Sequence, residues 1–103
     1  MDMEAESVPL EFVRPLSDVL LTKVSDGPVI LECELSRAPR DKVHWLKEGK
    51  PLGRLPDRIR VEDDANGTIQ RLAFQSLQDD DLGVYTIKVE KLSSEARLDM
   101  KGM

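Results

Sequence analysis

The sequence predicts an all-β fold, on two observations. Short runs in which apolar and polar residues alternate recur from Leu10 to Met100, separated by turn chemistry built on Pro, Gly and Asn. No segment keeps a 3.6-residue apolar period for longer than a turn or two, so no amphipathic helix is encoded. At 103 residues, 40% hydrophobic and 34% charged, the chain is large enough for one core and too small for two. The reading is a single domain over 8–103 behind a leader of residues 1–7.

Met1 to Ser7 carries three acids and nothing to bury, which reads as a disordered leader or linker. Leu10 to Arg14 is extended and is closed by Pro15, which lacks the N–H a ladder needs. Val19 to Val24 resumes the strand. Asp26-Gly27-Pro28 is turn chemistry, and the next run places Val29, Leu31, Cys33 and Leu35 on one face and Ile30, Glu32, Glu34 and Ser36 on the other. Cys33 is therefore inward, where a free thiol acts as a small hydrophobe.

A polar loop from Arg37 to Lys42 leads to a strand at Val43-His44-Trp45-Leu46-Lys47, with Trp45 inward and His44 facing solvent. Glu48-Gly49-Lys50-Pro51 reads as a turn, and Leu52 to Asp57 as a loop. Ile59-Arg60-Val61 forms a strand, and Asn66-Gly67 predicts a two-residue type I′ turn joining it to the next, because both central residues of that turn need positive φ. Leu72, Phe74 and Leu77 supply the following strand and the approach to the next. Gly83 to Val89 is another, and Ala96, Leu98 and Met100 form the last after a turn at Leu92-Ser93-Ser94.

Charge and composition narrow the function. Lys and Arg number 15 against 20 Asp and Glu, a formal charge of −5, which argues against nucleic acid or an anionic membrane as partner. A lone cysteine cannot build the disulfide framework of small secreted domains, so a reducing compartment is the simpler reading. No apolar run reaches the ~18 residues of a membrane span, and the first eight residues lack a signal-peptide core, so the chain reads as soluble. It stops at Lys101-Gly102-Met103 directly behind a strand, as a module cut from a longer chain would.

Catalytic and metal chemistry lack the residues they need. With one His and one Cys there is no triad, no thiolate–imidazole pair and no Cys/His metal set; no Gly-rich phosphate loop or cofactor motif occurs. Asp79-Asp80-Asp81 could suggest calcium, but three consecutive acids cannot all face one ion, and the EF-hand spacing is missing. A solvated turn with Asp81 bonding locally is expected there. Asn66-Gly67-Thr68 also spells an N-glycosylation acceptor, usable only in a secreted protein.

Asp81-Leu82-Gly83-Val84-Tyr85, followed by inward Ile87, resembles the tyrosine corner and F strand of an immunoglobulin sandwich. Leu31-Glu32-Cys33-Glu34-Leu35 resembles strand B. Trp45-Leu46-Lys47-Glu48-Gly49-Lys50 resembles strand C and its turn, with Trp45 twelve residues after Cys33. From Leu10 to Met100 the chain is similar to the I-set immunoglobulin domains of the giant muscle cytoskeletal proteins, the titin, myomesin and obscurin group, and most like obscurin or obscurin-like protein.

The resemblance implies a sandwich of two antiparallel sheets with Greek-key connections, whose first strand crosses between sheets. It implies a structural core of Cys33, Trp45, Leu72, Phe74, Asp81, Gly83, Tyr85 and Ile87, with the Tyr85 hydroxyl bonded to backbone near Asp79 to Asp81. Ile87 stands where antibody domains carry the second cysteine, so no inter-sheet disulfide forms. Such a disulfide contributes about 2–4 kcal/mol, and a fully buried Ile restores about 1.5–3 kcal/mol.

The function implied is a non-enzymatic interaction and structural module of a cytoplasmic, filament-associated protein. It would bear tension and dock another cytoskeletal protein through an immunoglobulin or fibronectin-type domain or linker, with no cofactor and no small-molecule substrate. Open sheet edges are the expected docking sites: Arg58, Ile59, Arg60 and Val61 on one strand, Lys47 and Lys50 near another. The alternative is an extracellular adhesion or receptor domain glycosylated at Asn66.

Overall fold

A computed structural model describes residues 8–23 and 28–101. The expected leader, the turn residues Asp26 and Gly27, Val24 and the last two residues lie outside the described residues. Among the described residues nine strands follow in order: β1 (Phe12–Arg14), β2 (Val19–Leu21), β3 (Val29–Leu35), β4 (His44–Lys47), β5 (Lys50–Pro51), β6 (Ile59–Asp63), β7 (Ile69–Phe74), β8 (Gly83–Val89) and β9 (Leu92–Met100). A 3₁₀ turn, Asp79–Asp81, precedes β8.

Two sheets result. One has the order β1-β3-β7-β6 and the other β2-β9-β8-β4-β5. Pro15 ends β1, and the chain then changes sheets: β1 pairs antiparallel with β3, whereas β2 pairs parallel with β9. Leu16, at the crossing, is buried, and its N–H donates to Ser94 Oγ at 3.0 Å. The remaining pairs are antiparallel.

The alternation of β3 places Val29, Leu31, Cys33 and Leu35 inward, and that of β8 does the same for Tyr85, Ile87 and Val89. All of these but Leu35 and Val89 join one cluster that also holds Trp45, Leu72, Phe74, Ala96 and Leu98. A smaller cluster of Leu10, Leu35 and Val89 lies beside it.

Three turns differ from the sequence reading. Glu48-Gly49 alone forms the β4–β5 turn, with φ of 53° and 82° as type I′ requires, while Lys50 and Pro51 pair with Lys47 and Leu46. Pro51 is tolerated because β5 ends its sheet. Asn66-Gly67 does join β6 to β7, but as part of a loop over 64–68 in which only Gly67 has positive φ. Asp64 organises that loop: its carboxylate accepts the N–H groups of Thr68 (3.0 Å) and Ile69 (3.1 Å), which holds it below the usual carboxylate range. A side chain capable of receiving both donors replaces the tight turn.

The last turn is Glu90-Lys91, not Leu92-Ser93-Ser94. Val89 pairs with Leu92, Lys88 with Ser93 and Ile87 with Ser94. Leu92 packs on the smaller cluster, and this contact draws it into the strand. Glu90 adopts φ 54°, a left-handed conformation that costs a non-glycine residue about 1–2 kcal/mol.

Candidate functional site

Three places organise the side chains that sequence reasoning singled out. The first is the centre of the sandwich. Cys33 on β3 and Ile87 on β8 are both 0% exposed, on facing sheets, and the cysteine is free. Burial pushes its thiol up to about 11, so at neutral pH it is protonated. Trp45 is buried with its indole N–H unpartnered, consistent with a ring used for its apolar bulk. Among the described residues no group of three His, Cys, Asp or Glu could hold a metal ion, and no helix is long and apolar enough to cross a membrane. His44 is exposed on β4.

The second is the corner before β8. Tyr85 donates its hydroxyl to the Asp81 carbonyl at 2.5 Å, and its ring meets Phe74 edge-on at 5.6 Å. Burial raises the phenol well above its ordinary value, so it remains a donor. Asp81 is only 5% exposed: its carboxylate accepts the Gln78 N–H at 2.8 Å and forms a two-pronged ion pair with Arg58, whose guanidinium also donates to the Ser76 carbonyl. Asp81 bonds locally and is buried, as a core residue and not as part of a solvated turn; its arginine is not in the sequence reading.

Gly83 is fixed by this packing. Its φ is 150°, and a Cβ there would stand 2.5 Å from the Glu48 carboxylate that accepts the Val84 N–H. Lys47 reaches across the same corner, donating to the Asp80 carbonyl with its ammonium 5.8 Å from the Tyr85 ring centre.

The third is the opposite end of β8. Arg37 donates to both carboxylate oxygens of Glu90 (3.1 and 3.2 Å) and twice to the Val8 carbonyl (3.0 and 3.2 Å). The Arg40 N–H adds a bond to Glu90 at 2.7 Å. These donors hold the Glu90 carboxyl below its ordinary value. A groove of ~560 Å³ adjoins them, lined by Pro9, Leu10, Asp41 and Lys91 among others. No sequence signal marks this cluster: Arg37 and Glu90 are 53 residues apart and belong to no motif.

At the edges, the residues named in advance separate. Arg58, just before β6, is bound to Asp81, and Ile59 is buried at 8% exposure, so neither side chain is free at the edge. Arg60 is exposed and Val61 is 50% exposed on that terminal strand. Lys47 lies on β4, which is not an edge, because β5 covers it; Lys50 sits on β5, which is. The short β5 hairpin was hidden by its Pro.

Comparison with known proteins places this architecture. The immunoglobulin I-set domain model matches residues 10–101. The muscle M-line assembly protein unc-89 of Caenorhabditis elegans is 34% identical over 91 residues, covering 87% of this chain and 1% of that protein. Palladin of Rattus norvegicus is 31% identical over 90 residues, covering 84% of this chain and 15% of its own length. The chain thus spans a small part of these relatives. Among solved structures, titin domain I10 superposes with a TM-score of 0.76 at 17% identity, over 91% of this chain and all of that one, and titin M3 with 0.75 at 22%, over 90% and 97%. The structural likenesses carry the fold. The group of muscle cytoskeletal proteins is supported by the relatives, without the finer likeness to obscurin.

Proposed function

Because the chain belongs to the immunoglobulin I-set family, we propose that it is a non-enzymatic interaction and structural module of a cytoplasmic, filament-associated protein of the sarcomere or a related cytoskeleton. The observation that carries this reading is the pair Cys33 and Ile87, a sandwich centre closed by packing alone. A core of this kind loses nothing in a reducing compartment. The relatives, one of them an M-line assembly protein, point the same way.

Tension is supported by strand geometry. β2 runs parallel to β9 with Val19, Leu20 and Leu21 beside Leu98, Asp99 and Met100, and the Lys101 N–H adds a bond to Leu21 at 2.6 Å. Force applied toward the two ends of the chain pulls β2 and β9 in opposite directions along their axes. Their hydrogen bonds are then loaded together in shear. Docking of an immunoglobulin or fibronectin-type domain, or its linker, is supported by the open edges, where an added strand gains main-chain bonds.

The test is capture from muscle lysate kept in reductant, using the immobilised chain and mass spectrometry. Filament-associated proteins bearing such domains should be enriched over a Val61→Pro variant that melts like the parent. The extracellular alternative is favoured by one observation, the exposure of Asn66 in the 64–68 loop. A glycan on Asn66 of the natural protein, or capture of secreted proteins only, would overturn the intracellular reading.

A further inference from the structure

We propose that β6 pairs with β6 of a second copy of this chain, antiparallel across a two-fold axis at Val61. This interface goes beyond the docking of other proteins proposed above and uses the same open edge that Val61→Pro would block, so the two would compete. β6 terminates its sheet and has five residues, against three in β1 and β2 and two in β5, the other terminal strands.

The backbone phase is fixed by two hydrogen bonds. The Arg58 carbonyl accepts from Gln75 N–H (2.7 Å), and Asp64 N–H donates to the Ile69 carbonyl (3.1 Å), so even-numbered positions turn their polar groups toward β7. Alternation then turns those of Ile59, Val61 and Asp63 toward the open edge. Ile59 N–H is already bonded to the Pro56 carbonyl. The N–H and C=O of Val61 therefore sit mid-strand, facing outward as the centre of a hydrogen-bonded pair.

The side chains select the same centre. Val61 is 50% exposed on the face that buries Ile59. Arg60 and Glu62 are exposed on the other face, and neither forms an ion pair among the described residues. With the axis at Val61, the two valines face each other and exchange both backbone bonds. Arg60 of each copy then lies directly opposite Glu62 of the other, in the non-hydrogen-bonded position where side chains approach most closely.

Neighbouring registers fail on charge. An axis at Arg60 sets two arginines opposite each other, and an axis at Glu62 sets two glutamates opposite. A two-fold axis normal to the sheet keeps the outer faces on one side, which excludes registers between these. The product is an isologous contact that joins two four-stranded sheets into one of eight strands and covers both valines.

Sedimentation of the 103-residue chain in reductant over a concentration series tests it. The parent should show a reversible monomer–dimer equilibrium. Arg60→Glu and Glu62→Arg, at exposed sites that leave the melt unchanged, should each weaken association roughly 10-fold or more, because each sets like charges opposite twice. An equimolar mixture of the two variants should associate like the parent, since every opposed pair is again complementary. Val61→Lys gives a second reading and should abolish the dimer. A parent that stays monomeric at its highest soluble concentration, a variant that associates as tightly as the parent, or a mixture no tighter than its components would each overturn the proposal.

Discussion

At the two ends of β8 an arginine grips a carboxylate, Arg58 on Asp81 at one end and Arg37 on Glu90 at the other, and the two clusters do different work. Asp81 is attached to the core: its own carbonyl receives Tyr85, whose ring packs on Phe74 between the sheets. Glu90 is attached to loops. It gathers the Arg37 to Arg40 segment, the β8–β9 turn and, through Arg37, the backbone at Val8. The chemistry of the two pairs is the same. Their consequence differs because one connects to the cooperative unit and the other to its margin.

Breaking each cluster should expose that difference. Asp81→Ala should have the largest effect, about 3 kcal/mol in urea unfolding, because it strands a partly buried guanidinium and the Gln78 N–H together. Tyr85→Phe keeps the ring and deletes one bond, so about 1–3 kcal/mol is expected. A neutral Tyr85→Phe would mean that the corner does not hold the crossing into β8.

Acid sharpens the comparison at the other end. Arg37, and then the Arg40 N–H, hold the folded Glu90 carboxyl below its ordinary value of 4.5. A depressed acid stabilises the fold fully above its unfolded value and loses that contribution as pH falls through the folded one. The parent and Glu90→Gln should therefore differ at neutral pH and converge below pH 4.5, as followed by thermal melts and by the Arg40 amide resonance. A gap that persists unchanged into acid would show that Glu90 acts through shape and not charge.

The smallest effect should be that of reductant. Melts with and without it should superimpose, and a thiol reagent should leave folded Cys33 unlabelled, because its sulfur is fully buried and protonated. A loss of stability in reductant would contradict a centre closed by Ile87.

The corner was legible in the sequence and the far cluster was not, for a physical reason. Tyr85 bonds Asp81 four residues back with Gly83 between them, so their spacing is written in the chain, as is the alternation that turns Cys33 and Ile87 inward. Arg58 reaches Asp81 across 23 residues and Arg37 reaches Glu90 across 53, and no local pattern records either meeting. Turns failed where a side chain replaced backbone chemistry. Asp64 holds a loop that the sequence reading assigns to Asn66-Gly67 alone, and Glu90 accepts a left-handed φ, a conformation normally left to glycine, in a turn where its carboxylate is anchored. The edge residues were half legible: Arg60 and Val61 do stand exposed on a terminal strand, but only the fold shows that Arg58 is bound and Lys47 is covered by β5.

Native-state hydrogen exchange on the parent, Tyr85→Phe and Glu90→Gln tests the central claim, that one end of β8 governs the whole sandwich and the other only its margin. Tyr85→Phe should lower protection throughout β3, β7 and β8 by one common amount. Glu90→Gln should lower it only near the second cluster, at Glu11, Ser36 and Arg40, and leave the β3 and β7 amides unchanged. Equal loss of protection across all strands in Glu90→Gln, or loss confined to the corner in Tyr85→Phe, would contradict the account.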